Sequence, residues 1–296
     1  MTNGNATETT ALIAHSKAQA LEWSLVLISQ QIESTVLPTT NPNAWIVKVD
    51  PIHFQAAKEL IQLYEQENQR WPFRYSIPQT HIPFDATSIL WGIFTTVFYL
   101  LQQKHPIIQL LGVASVDHVR QGEWWRIFTS TFLHADVPHL LGNLVIGVPL
   151  MGLCMGRFGF GIALLGTFIA AALGNLISVS ASGYLRMSLG ASGVVFAALG
   201  MLTAHWISAS MRLKISWRYV IKAVLAAVLL LVLCGFSPQA DTIAHMGGFV
   251  IGVILGLLIA TLQTLTRKLS LNVLCATAYF LGIITPWALA FGRYLD

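Results

Sequence analysis

The chain has 296 residues, 55% of them hydrophobic and 10% charged, with a mean hydropathy of +0.64. Soluble proteins carry about 25% charged residues, so a soluble globular protein is excluded and a membrane protein indicated. The net charge of +4 comes with 13 acidic residues concentrated in the first third; with no glycine-rich phosphate loop and no basic stripe interleaved with aromatics, nucleic acid is not an expected partner.

Residues 1–16 are expected to be a disordered lead, and the first 20 residues carry no apolar core of a cleavable signal. Residues 17–70 predict a small cytoplasmic α/β domain. LEWSLVLISQQ has helical spacing, STVLPT and AWIVKVD look like short strands around the turn TNPN, and Asp50-Pro51 opens a second helix with Pro at its first position. Such an α-β-β-α unit, about 55 residues long, barely buries its own core and is expected to dock on a partner or on itself. Its Glu and Lys residues read as a solvated face. Residues 71–85, WPFRYSIPQTHIPFD, suit a linker at the membrane interface.

From residue 86 the pattern changes to seven apolar runs, at 87–103, 138–156, 159–181, 192–210, 219–236, 241–263 and 271–291. Each is long enough for ~30 Å of hydrocarbon. Arg157, the group Arg212, Lys214, Arg218 and Lys222, and the pair Arg267 and Lys268 all fall on one side if the spans alternate. That side is cytoplasmic, which places the N-terminus inside and the C-terminus outside, in a membrane expected to be a bacterial inner membrane. Cys154, Cys234 and Cys275 lie far apart in apolar runs without a CxxC and read as packing residues.

This topology brings chemistry to one depth. Ser192, in Gly190-Ala191-Ser192-Gly193, opens the fourth span at its outer end. His245 falls about one turn into the sixth, and His139 and Asn143 lie one turn apart at the start of the second. A hydroxyl and an imidazole on separate helices are the parts of a nucleophile and its base. Small-residue stripes, Gly193, Ala197, Gly200 and Ala204 on one span and Gly248, Gly252 and Gly256 on the other, allow the close approach such a pair needs. A serine at a helix N-terminus also has unpaired backbone N–H groups beside it where an oxyanion would develop. GxSG alone is weak, because small residues are common wherever membrane helices pack.

Together these residues resemble the rhomboid family of intramembrane serine proteases. Trp125-Arg126 in GEWWRIFTSTFLH looks like its Trp-Arg element. His134, His139 and Asn143 reproduce His-x4-His-x3-Asn, Gly190 to Gly193 its GxSG, and Ala244-His245 with Gly248 its AHxxG. The resemblance implies an all-α polytopic membrane protein: a rhomboid-like six-helix core over 86–265 plus a seventh C-terminal helix within 266–296, preceded by the small α/β domain. It implies a dyad of Ser192 and His245 without a third acidic residue, and an oxyanion site of His139, Asn143, Gly190 and the Ser192 amide. Phe196, Trp125, Arg126, His134 and Gly248 are implied in support, with a substrate gate and lid over 219–241. The substrates implied are single-span membrane proteins met within the lipid bilayer, with no metal and no cofactor. The family often has tyrosine where this chain has Phe196, so the histidine ring is expected to be held less firmly.

Trp125 is expected to anchor at the interface, Arg126 to tie its loop to lipid head groups or carbonyls, and His134 to hold the external loop. His205 lies on the wrong side for the chemistry and reads as a snorkelling residue. An inactive relative that only binds membrane helices would be expected to lack the serine or the histidine. A transporter would show broken helices in matching halves, and a metal hydrolase built on His134, His139 and His245 would be expected to carry HExxH.

Overall fold

The computed structural model describes residues 10–41, 44–68, 84–181, 187–236, 240–262 and 268–295. The chain divides into two compact units either side of position 80.

The first unit contains β1 (Ala11–Ala14), α1 (Lys17–Ser29), β2 (Ser34–Pro38), β3 (Trp45–Val49) and α2 (Phe54–Asn68). β3 is central and antiparallel to both neighbours, in the order β1-β3-β2. β1 corrects the reading of residues 1–16 as a disordered lead. Leu12 and Ala14 alternate inward onto the core while Leu12 pairs with Val47 and Ala14 with Trp45. The unit is therefore β-α-β-β-α, and the added strand contributes to a core of Ala14, Trp23, Leu27, Val47, Val49 and Ile61. The Ser16 hydroxyl caps α1 by accepting from the Gln19 N–H at 3.1 Å. The Asp50 carboxylate does the same for Ile52 at 3.0 Å, with Pro51 next in line.

Of the linker expected at 71–85, only Phe84 and Asp85 lie among the described residues. The second unit then runs through α3 (Ser88–Lys104), α4 (Ile107–Gly112), β4 (Ala114–Ser115), α5 (Val116–Arg120), α6 (Arg126–Thr129), α7 (Val137–Phe158), α8 (Phe160–Ala181), β5 (Met187–Ser188), α9 (Ser192–Arg212), α10 (Trp217–Gly235), α11 (Thr242–Ala260) and α12 (Leu269–Leu295). Six of these, α7 to α12, are long and apolar enough to cross a membrane. The first expected span is α3, whose 17 residues lie at the lower end of spanning length, about 25 Å at 1.5 Å per residue. The chain is a multi-pass helical membrane protein.

α8 and α9 are the inner helices, most of their residues buried, and α10 is the least buried of the six. Lipid supplies no hydrophobic force between helices, so close backbone approach must hold them. The glycines of α11 provide it. A Cβ on Gly248 would lie 2.7 Å from the Gly193 carbonyl oxygen, and one on Gly256 2.7 Å from the Ala204 Cβ; Gly252 meets Ala197 in the same way. On the other flank of α11, a Cβ on Gly174 of α8 would lie 2.6 Å from the Ala244 carbonyl oxygen.

α7 starts at Asp136, whose carboxylate accepts from the His139 N–H at 2.7 Å, and ends at Gly159, whose φ of +93° turns the chain into α8. The first N–H groups of α8 are capped from another helix. The Asn272 side-chain oxygen, on α12, accepts from Gly161 at 3.1 Å and from Ile162 at 3.4 Å. Farther along, Tyr279, Ile283 and Trp287 of α12 pack with Trp125, Phe132, Leu133 and Phe168.

Candidate active site

The site is built where three segments converge. β5 pairs with β4, Ala114 opposite Ser188 and Ser115 opposite Met187, and so ties the chain before α9 to the loop between α3 and α7. Gly190 follows, with φ +130°, a conformation L side chains rarely adopt. Its N–H donates to the Ser130 carbonyl at 2.9 Å, and a Cβ there would lie 2.8 Å from the His139 ring. The positive φ and the close His139 ring both demand glycine. The Ala191 N–H donates to His134 Nε2 at 3.4 Å. Ser192 is then the first residue of α9, where backbone N–H groups have no intrahelical partner.

His245 is reached from the other side. The Asp241 carboxylate accepts from the Ala244 N–H at 3.1 Å and from the Ser178 hydroxyl of α8 at 2.6 and 2.7 Å, fixing where α11 begins. Gly248, one turn later, lets α11 settle on Gly193. The result is a Ser192 Oγ to His245 Nε2 distance of 2.6 Å. His245 Nδ1 lies 2.7 Å from the Gly235 carbonyl oxygen. A carbonyl only accepts, so Nδ1 carries the proton, and the neutral ring presents the Nε2 lone pair to the serine hydroxyl. That is the tautomer a general base requires. The Phe196 ring packs on the imidazole with centroids 4.9 Å apart.

His139 and Asn143 stand one turn apart on α7. Asn143 is buried, and its amide nitrogen makes no hydrogen bond. An unpaired buried donor costs about 1–3 kcal/mol, a cost relieved when an acceptor arrives. His134 is fully buried; its N–H donates to the Gln102 side-chain oxygen at 3.1 Å, and its carbonyl accepts from the Gln102 amide at 2.7 Å. Burial, with His139 beside it, lowers the His134 pKa to about 3, so this imidazole is neutral and acts by holding the Ala191 amide.

Some readings need correction. Trp125 is 8% exposed and enclosed by Phe132, Phe168 and Trp287, because α12 covers the inner face of α6; it is not an interface anchor. Its neighbour Trp124 is the exposed one, at 49%. Arg126 turns inward, donating to the Leu110 and Val113 carbonyls at 2.8 and 2.9 Å and pairing with Glu123. Of the two kinds of partner expected for it, it ties the loop to carbonyls. His205 is bonded within the protein, its Nδ1 accepting from Arg157 Nε at 3.0 Å. Cys154 is buried, but Cys234 is exposed on α10 and does not pack inside.

Three further residues support the site. Asn175 of α8 donates to the Ile127 carbonyl at 2.9 Å and to Ser130 Oγ at 3.0 Å, and accepts from Ser188 at 3.2 Å. It thereby shapes the Ser130 turn that receives Gly190. An amide in the middle of an apolar span was the signal that could have found it. Gln102 and the Gly235 carbonyl had no such signal. Among the described residues, no three His, Cys, Asp or Glu side chains gather to hold a metal ion.

A family model described as Rhomboid domain matches residues 121–262. The chain is similar to Rhomboid-like protease 3 of Toxoplasma gondii, 34% identical over 174 residues that cover 57% of this chain and 65% of the relative. It is similar to RHOMBOID-like protein 5 of Arabidopsis thaliana, 32% identical over 53% of this chain and 51% of the relative. It is also similar to Rhomboid protease GluP of Bacillus subtilis, 32% identical over 67% of this chain and 39% of the relative. The chain spans about half the length of the relatives it matches.

Proposed function

The chain belongs to the rhomboid family, and on that premise we propose that it is an intramembrane serine endopeptidase. Ser192 is the nucleophile and His245 its general base. The observation that carries this reading is the 2.6 Å pairing of Ser192 Oγ with an imidazole whose other nitrogen is held in the protonated state. As Oγ attacks a peptide carbonyl, its proton passes to Nε2. The developing oxyanion is stabilised by the Asn143 amide, by His139 and by the N–H groups at the start of α9. Nε2 then gives the proton to the leaving amine as the C–N bond breaks. The acyl-enzyme is released by a water that His245 activates in the same way. The site needs no metal or cofactor for any of these steps. The test is reaction of the purified protein with a fluorophosphonate, with peptide mapping of the modified residue. Labelling of Ser192, lost in the His245→Ala protein, is the expected result.

The cationic residues Arg157, Arg212, Lys214, Arg218, Lys222 and Lys268 support a cytoplasmic N-terminus with Ser192 toward the outer face. From that depth follows the substrate. A peptide bond inside a regular helix is shielded and its carbonyl occupied, so the chain must unwind to reach Ser192. Unwinding in lipid costs several kcal/mol per unsatisfied backbone group, and a Gly or Pro near the outer end of the substrate span reduces that cost in advance. Cleavage is expected after a small residue close to such a helix breaker in a single-span protein. Replacing the substrate's helix breakers with Leu should slow cleavage about ten-fold or more; equal rates would remove the unwinding argument.

Residues 1–80 carry no part of this chemistry. A protein starting near Ile82 is expected to cut a model substrate in detergent at the rate of the full chain. A truncated protein that folds but does not cut would make the first unit part of the active enzyme.

A further inference from the structure

A serine triad holds its histidine with a carboxylate. Here the acceptor at His245 Nδ1 is the carbonyl of Gly235, the last residue of α10. The final carbonyls of a helix have no intrahelical partner, and that end carries about −0.5 elementary charge. The imidazole therefore satisfies an orphan acceptor and sits against the negative pole of a 19-residue helix. The packing is specific to this end. A Cβ on Gly235 would lie 3.0 Å from Phe196 Cζ and 3.3 Å from Leu231 Cδ1, so glycine lets the α10 terminus close onto the same ring that packs on His245. Phe196 has no hydroxyl to offer, and the hydrogen bond comes from α10 instead. Asp241, the carboxylate one turn before His245, accepts from Ser178 and the Ala244 N–H.

Resting on the protease reading above, we propose that the C-terminus of α10 is the third member of this catalytic apparatus. The Gly235 carbonyl fixes the tautomer of His245, and the helix pole behind it stabilises the imidazolium formed when Ser192 attacks. The Nδ1 proton stays in place throughout. Only the Nε2 proton moves, from Ser192 Oγ to the ring and then to the leaving amine. Gly235 is a positioning residue, acting through His245 on a reaction it does not touch.

The test alters the acceptor and leaves every side chain in place. Replacing Phe236 by phenyllactic acid, its α-hydroxy counterpart, makes the Gly235 carbonyl an ester and a weaker acceptor. Replacing Leu281, a 57% exposed residue of α12, by leucic acid makes the same amide-to-ester change in a helix outside the gate and leaves the Gly235 carbonyl an amide. For the first variant, kcat on a transmembrane substrate and the fluorophosphonate labelling rate at Ser192 should fall together, by about ten-fold, with KM unchanged. The second should match wild type in all three. Equal losses in both variants, or none in the first, would overturn the proposal while leaving the dyad intact. A wild-type protein that neither cleaves nor is labelled at Ser192 would remove the protease reading and this inference with it.

Discussion

Ser192→Ala and His245→Ala are each expected to abolish cleavage of a transmembrane substrate while the protein still inserts and folds. On the proposed mechanism, losing the serine removes the atom that forms the bond to substrate. Losing the histidine leaves a hydroxyl with no group to take its proton. For residues in these roles the expected fall in kcat is at least about 10³-fold. The effects on stability differ. Ser192→Ala deletes one hydroxyl at a half-buried helix start and should leave the melting temperature nearly unchanged. His245→Ala empties the space between Phe196 and Gly235 and should lower it, so melting has to be measured alongside activity. Residual cleavage by purified Ser192→Ala protein above background would remove the assignment. EDTA should have no effect; activity lost in EDTA and restored by zinc would argue for metal chemistry.

The next largest effect is expected at Asn143. Its amide nitrogen is buried without a partner in the resting site, an arrangement that destabilises the fold and is explained if the partner is the oxyanion. Asn143→Ala should lower kcat about 10²–10³-fold, the range for one oxyanion donor, with little change in KM. The same substitution removes an unsatisfied donor, so the melting temperature should hold or rise. Opposite signs for activity and stability separate a donor kept for chemistry from one kept for packing. His139→Ala should also lower kcat, but with a stability cost, because the His139 ring lies against Gly190. A large rise in KM at constant kcat for either variant would place these residues in substrate binding instead.

Much of this site was legible in the order of residues because hydropathy gives depth and spacing gives face. Ser192, His245, His139 and Asn143 could be put at one level by counting from span ends, and the glycine stripes said which helices approach. What escaped was whatever works through the backbone or through context. The acceptor at His245 is a main-chain carbonyl, and no residue type announces one. β1 is four residues long, too short for alternation to stand out from a polar lead, and owes its existence to pairing with β3. Trp125 reads as an interfacial residue by type; it is buried because α12, more than a hundred residues away in sequence, covers it.

The cap that Asn272 places on α8 has a consequence for the order of assembly. The two ends of that hydrogen bond are 111 residues apart. At about 5–20 residues per second of synthesis, the start of α8 exists for several seconds before its acceptor has been made. During that interval its first N–H groups must find water or head-group oxygens at the membrane surface, since hydrocarbon offers them nothing. α8 is also the helix whose Ser178 and Gly174 fix the start of α11, and whose Asn175 shapes the turn leading to Ser192. The scaffold behind Ser192 and His245 is thus completed by a helix that reaches the membrane after both residues are already there.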